Sequence, residues 1–338
     1  MERMVHNMEV YETVKRWTKA LDLRSRSLDF KLSSTNRAAM YWLREFCNYH
    51  KTNPDSLIAD RKATMNSADD LTRRKHEEML EDYATYLRRK EKAPNTISNA
   101  VGMIRSFYMH NYVDLKKVAT VRPRVVRRSR TPSPEDLRKM VKIANLPIKT
   151  WMCSQKDSGL ANVDLFSLTY ETQSNEFGSI KNQLKKGIVP IHLEINRQKT
   201  SERTDSFLGP NAVEALKEYA EPSPRGRIFR ISPRSVQQHV KALSIKTRVA
   251  TKEAPVTPYS LRRYFNTRMK AIANVNNDMV ELMMGHSIGG VHSAYLNIGK
   301  GTVTGIPVSN LVKIYMDAYW ALDIYGNYKK GGEADVVS

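Results

Sequence analysis

Residues 115–134 read LKKVATVRPRVVRRSRTPSP, with seven Lys or Arg, three prolines and no acidic residue. Proline lacks an N–H and clashes with the preceding helical turn, so this stretch cannot be a helix interior. Packing so many like charges into a core would leave them uncompensated. The chain must therefore fold as separate units on either side. The stretch itself is either a solvated tether or a strap along phosphates, and its composition fits both.

Before the basic stretch, apolar residues recur at spacings of three and four. The pattern predicts helices over 9–21 (Val10, Val14, Trp17, Leu21), 36–50 (Ala39, Trp42, Leu43, Phe46), 68–90 (Leu71, Met79, Leu80, Tyr83, Leu87) and 95–110 (Ile97, Val101, Ile104, Phe107, Tyr108). No convincing strand interrupts them, so this half is expected to be all-α. After it, Ser133 can cap a helix that starts at Pro134, with Glu135 and Asp136 favouring its positive end. Helices are predicted at 134–144, 147–170, 210–221, 233–248, 258–273, 276–284 and 308–324. Short strands are predicted at 178–180, 187–195 and 203–208, because IVPIHLEI is rich in β-branched residues and bounded by turns. The expected fold class is mainly α with a small antiparallel β-sheet. The expected divisions are an N-terminal helix or extension (1–30), an all-α domain (31–115), a basic linker (116–132), a mixed α/β domain (133–325) and a flexible tail (326–338).

The net charge of +20 is neutralised either by counterions at a basic, solvated surface or by an anionic partner; nucleic acid is the favoured partner, since each Lys or Arg that meets a phosphate releases condensed counterions. Two distant cysteines, Cys47 and Cys153, form no metal-ligand or redox spacing and suit a reducing, cytoplasmic setting. No run of about 18 apolar residues occurs, so no membrane partner is expected. Candidate phosphate contacts are Lys116, Lys117, Arg122, Arg124, Arg127, Arg128, Arg130 and Arg263.

A few residues could carry chemistry. Arg262 falls in the second turn of a helix opened by Thr257 and Pro258, near an end where anions bind. Leu261, Phe265 and Ile272 of that helix are expected to point inward. Lys199 lies in a tight turn between two strands and could act as a point charge or proton donor. In ELMMGHSIGGVHSAYLN, Gly285 ends a helix, His286 follows at once, and Tyr295 comes nine positions later. Each has an ordinary structural explanation: a solvated basic face, a surface turn, a capping His, a core Tyr.

Their order is more telling. A hairpin Lys199, a Tyr-x-x-Arg step at Tyr259–Arg262, Gly285-His286 and then Tyr295 strongly resemble the tyrosine recombinase (phage-type integrase) family over about residues 30–325. SGL at 158–160, DSFLGPNAVEALKEY and GHSIGGVHSAY resemble the archaeal integrases of mobile elements in that superfamily. The resemblance implies a core-binding domain followed by a catalytic domain, double-stranded DNA as partner and a homotetramer assembled on two DNA sites. It implies that Tyr295 attacks a phosphodiester to form a 3′-phosphotyrosyl link, with no metal or nucleotide cofactor. Arg262 would grip non-bridging oxygens, Lys199 would protonate the leaving 5′-oxygen, His286 would support the phosphate or shuttle a proton, and Tyr259 would donate a hydrogen bond where many relatives have His. A C-terminal segment, here the stripe Leu311, Ile314, Tyr315, Ala318 and Leu322, would pack on a neighbouring protomer; packing on its own domain is the equal alternative.

The chain departs from the family at one position. The first catalytic Arg follows a Gly-Leu in the family, and here that position is Ala161. Losing one preorganised donor costs roughly 3–4 kcal/mol of transition-state stabilisation. Either another cation such as Lys156 substitutes, or the chain is a weakened or silent DNA-binding relative, or the residue was changed deliberately. A type IB topoisomerase would share the chemistry.

Overall fold

A computed structural model describes residues 7–24, 34–116, 118, 122–123, 129–199, 203–286 and 306–331. The chain divides into two compact units, 1–126 and 127–338. Its fold class is mainly helical with one two-stranded antiparallel sheet.

The first unit is built from α1 (Glu12–Arg24), α2 (Ser34–Tyr49), α3 (Pro54–Thr64), α4 (Asp70–Arg89) and α5 (Pro94–His110). Val14, Trp17, Leu43, Phe46, Leu80, Ile104 and Phe107 are fully buried together, so α1 belongs to this core. The Trp17 indole donates to Ser106 at 3.1 Å and its ring meets Phe107 edge-on. Leu115 and Val118 are buried in the same cluster, which anchors the start of the basic stretch. Val10 and Leu71, expected on apolar stripes, are exposed instead. Val10 precedes α1, in a short 3-10 turn, and Leu71 lies in the first turn of α4.

The second unit carries α6 (Pro134–Ile143), α7 (Leu146–Ser158), α8 (Asn162–Ser167), α9 (Ile180–Lys185), β1 (Ile191–Asn196), β2 (Arg203–Leu208), α10 (Pro210–Tyr219), α11 (Pro233–Lys246), α12 (Pro258–Thr267), α13 (Asn277–Met283) and a C-terminal helix, Val308–Ala318. Prolines sit in the first turns of α6, α10, α11 and α12, where a missing N–H costs nothing. Ser133, Ser232 and Thr257 cap their helices with side-chain oxygens. β1 and β2 pair from Ile191↔Leu208 to Asn196↔Arg203. The ladder starts just after Pro190, which has no N–H to give it.

Three expectations are corrected. Residues 147–170 are not one helix: Gly159 caps α7 in the left-handed region (φ 60°), and a Cβ there would sit 2.3 Å from Phe265 Cδ1. The close approach of α12 thus requires glycine and ends α7. Residues 178–180 form no strand; they are the turn and first residue of α9, capped by Ser179. Ile272 is exposed (42%) while Leu261 and Phe265 are buried, because one π-helical turn, Arg268–Ile272, shifts the face and buries Met269.

The C-terminal stripe also has a different role from the intermolecular one. Leu311, Tyr315, Ala318 and Leu322 are buried in the second unit's own core, with Ile314 partly buried against it. Tyr315 donates to the Asp157 carbonyl at 2.9 Å, and the Tyr319 hydroxyl lies 3.1 Å from an Asp157 carboxylate oxygen. The stripe is therefore not free to cover a neighbour.

Candidate functional site

The site forms where α12, the end of α13 and the β1–β2 hairpin meet the α7–α8 corner. Thr257 and Ser260 form a capping box that starts α12, and this places Arg262 one turn in. Arg262 is only 8% exposed. It donates to the Gly159 carbonyl (2.6 Å), the Met284 carbonyl (3.2 Å) and His286 Nε2 (2.5 Å). Burial, with Arg197 nearby, pulls its pKa down to about 10, so it is a cation at neutral pH. Tyr259, one turn earlier on the same face, is 65% exposed.

His286 follows Gly285, whose φ is 73°. A guanidinium only donates, so the contact with Arg262 leaves Nε2 as acceptor and puts the ring proton on Nδ1. That proton faces Glu281 Oε2. Glu281 also accepts from Lys270. Burial pushes the Glu281 carboxyl up, but the hydrogen bonds from Lys270 and His286 outweigh it, and the group lies below its ordinary value. A carboxylate with a depressed pKa stabilises the fold fully above its unfolded value, about 4.3, and loses that contribution as pH falls through the folded value. Wild-type and Glu281→Gln proteins should therefore differ in melting temperature at pH 7, and the gap should start to close below about pH 4.3 and shrink as pH falls through the folded value. A gap that stays constant with pH would contradict this reading.

Arg197 was not expected here. It follows β1, is 9% exposed, and donates from Nε to Asp164 Oδ2 at 3.2 Å and from Nη1 to the Gly285 carbonyl. A Cβ at Gly285 would lie 2.7 Å from Arg197 Cδ, so space and backbone both demand glycine there. Asp164, fully buried on α8, also accepts from the Gln198 N–H at 2.8 Å and so ties the hairpin turn to α8. Ala161, the N-cap of α8, makes no side-chain cap bond.

Lys156 does not substitute at Ala161. It is 1% exposed, paired with Asp157, bonded to the Leu322 carbonyl at 2.9 Å and 5.5 Å from the Tyr319 ring centre. Lys199 sits in the hairpin turn and is exposed. Tyr295 and the Gly289-Gly290 pair lie outside the described residues. So do Lys117, Arg124, Arg127 and Arg128. Lys116 and Arg122 are exposed. Arg130 is paired with Asp136 at 2.9 Å, and Arg263 is exposed and donates to the Ser129 carbonyl at 3.2 Å.

Arg262 and His286 are thus brought together, with Tyr259 at their margin, and Asp164, Arg197, Lys270 and Glu281 join them. Glu281 is five residues before His286 across a helix end, a spacing that hints at the contact. Arg197, in a polar hairpin turn, carries no such signal. Among the described residues, His192, Glu194 and Asp205 come close enough to hold a metal ion. Both His192 ring nitrogens are already hydrogen-bonded, to Ser174 and Asp205, and Glu194 is paired with Arg203.

Sequence comparison finds no matching family model and no matching curated protein. Structural comparison does find relatives of the fold. A lambda integrase dimer bound to a core site superposes with a TM-score of 0.55 at 12% identity, over 81% of this chain and 94% of that one. A lambda integrase tetramer on a Holliday junction gives 0.53 at 13% identity, over 85% and 76%. The XerH recombinase bound to its difH substrate gives 0.52 at 11% identity, over 90% and 91%. The chain has the integrase fold. No helix among the described residues is long and apolar enough to cross a membrane.

Proposed function

We propose that this protein is a tyrosine-type site-specific DNA recombinase, an integrase of the archaeal kind carried by a mobile element. The observation that carries the reading is Arg262. Among the described residues, this buried guanidinium bonds only to carbonyl oxygens and an imidazole, on a fold whose solved relatives include integrases bound to DNA. A buried cation without a carboxylate in contact is a prepared seat for an anion.

In this reading the Tyr295 hydroxyl attacks the scissile phosphorus and its proton passes to the His286 imidazole or to water. The P–O5′ bond breaks, a 3′-phosphotyrosyl link forms and the 5′-oxygen leaves as a hydroxyl. Lys199 gives that oxygen its proton, while Arg262 holds the non-bridging oxygens as charge builds on them. His286, oriented by Glu281, supports the phosphate, and Tyr259 donates from the margin. Reversal of the step by another 5′-hydroxyl joins new strands. The bond energy is conserved, so no metal or nucleotide is required. The exposed cations of the basic stretch, Lys116 and Arg122 among them, would lie along phosphates. Assembly would be a tetramer on two duplexes.

A nicked duplex tests this directly, because the short fragment beyond the cut diffuses away and traps the covalent intermediate. A pool of singly nicked duplexes of random sequence should give an adduct that survives denaturant. No adduct, with DNA binding still tight and salt-sensitive, would favour the second reading: a silent DNA-binding relative. Ala161 is the observation in its favour.

A further inference from the structure

Arg197 is a cation drawn inward from a turn whose neighbours Asn196, Gln198 and Lys199 are exposed. Its Nε is anchored by Asp164, three residues and about one turn beyond Ala161. Its side chain therefore lies against the first turn of α8, the helix that Ala161 opens. Arg197 and Arg262 grip consecutive carbonyls, those of Gly285 and Met284, so the two guanidiniums flank one stretch of backbone.

The charges around them do not balance. Asp164 offsets Arg197, but among the described residues Arg262 bonds no carboxylate, and Glu281 is engaged by Lys270 and His286. Two buried guanidiniums side by side repel, and Arg197 contributes to the lowered pKa of Arg262. An anion with two free oxygens relieves that repulsion. A guanidinium offers five N–H donors in a planar fork, and Arg197 Nη2 has no partner among the described residues.

We propose that Arg197 supplies the second guanidinium of the phosphate-binding site, reaching across from the hairpin to do what Ala161 cannot. The proposal rests on the recombinase reading for its catalytic consequence, although the anion site itself stands on the geometry alone. Arg197 would hold one non-bridging oxygen and Arg262 the other. The Gly285 carbonyl that Arg197 grips in the absence of DNA would yield to the phosphate oxygen.

The test uses the full chain and two readouts. The first is the rise in melting temperature on adding inorganic phosphate, against sodium chloride at matched ionic strength. The second is covalent adduct yield on the random nicked-duplex pool. Arg197→Gln should lose the phosphate-specific rise and lower the initial rate of adduct formation about a hundredfold to a thousandfold. Arg197→Lys should retain part of both. Adding Ala161→Arg to Arg197→Gln should restore both, since a guanidinium rooted at 161 reaches the same seat, whereas it cannot repair a merely structural loss. Arg197→Gln that matches wild type in both readouts overturns the proposal. So does a loss that neither Arg197→Lys nor Ala161→Arg restores. If wild type gives no adduct but the phosphate effect follows Arg197 and its rescue, the recombinase reading fails and the arginine pair stands.

Discussion

Truncation after Gly305 should abolish the fold of the second unit. Leu311, Tyr315, Tyr319 and Leu322 are each buried to about 1% exposure or less. At about 1.5–3 kcal/mol for each large apolar side chain, their removal costs roughly 6–12 kcal/mol, which matches the entire stability of an ordinary domain, about 5–15 kcal/mol. The polar losses add to this. Asp157 would lose the Tyr319 hydroxyl and Lys156 the Leu322 carbonyl, leaving a buried ion pair partly unsatisfied. Asn211 would lose both the Tyr319 hydroxyl on its N–H and the Asp323 carboxylate on its side chain. Hydrogen exchange should show loss of protection across α7 and α12 in the truncated chain. Protection retained there, with only oligomerisation lost, would favour the intermolecular role over packing on its own domain.

Arg262→Gln should lower the rate of adduct formation about a thousandfold or more while leaving the protein folded. The rate effect follows because removing one preorganised donor already costs about a hundredfold to a thousandfold, and this donor is charged. The fold survives because burying the guanidinium beside Arg197 is itself costly, and the neutral amide removes that repulsion. Arg262→Lys should fall between wild type and Arg262→Gln, since it keeps the charge but not the fork that spans two oxygens. Rates within tenfold of wild type for Arg262→Gln would remove Arg262 from the phosphate.

The sequence carried much of this architecture, for physical reasons that also explain the failures. Helices α2, α4 and α5 bury one face each, so their period is visible without knowledge of neighbours. Helix α3 is not legible as an apolar stripe because its buried face, Pro54, Leu57, Ile58 and Arg61, includes a charged residue and only two large aliphatic ones, although Asn53 and Pro54 mark its start. The break at Gly159 depends on Phe265, which is 106 residues away and legible only in space.

The site divides in the same way. The order Lys199, Tyr259, Arg262, His286, Tyr295 is written along the chain, and the structure brings Arg262 and His286 into contact. Arg197 looks like any polar turn residue until Asp164 and Gly285 draw it inward. Lys156 stood close to the gap at Ala161 in sequence, but it sits on the face of α7 turned toward the C-terminal segment. Proximity along the chain was misleading because α7 ends at Gly159 and α8 sets off anew.

As the proposed nucleophile, Tyr295 should become covalently joined to DNA through a 3′-phosphate. The most direct measurement is peptide mapping, by mass spectrometry, of the adduct trapped on the random nicked-duplex pool after nuclease trimming. A nucleotide mass should appear on the peptide carrying Tyr295, attached through its phenolic oxygen, and Tyr295→Phe should give no adduct at all. An adduct that maps to another residue, or that persists in Tyr295→Phe, would contradict it.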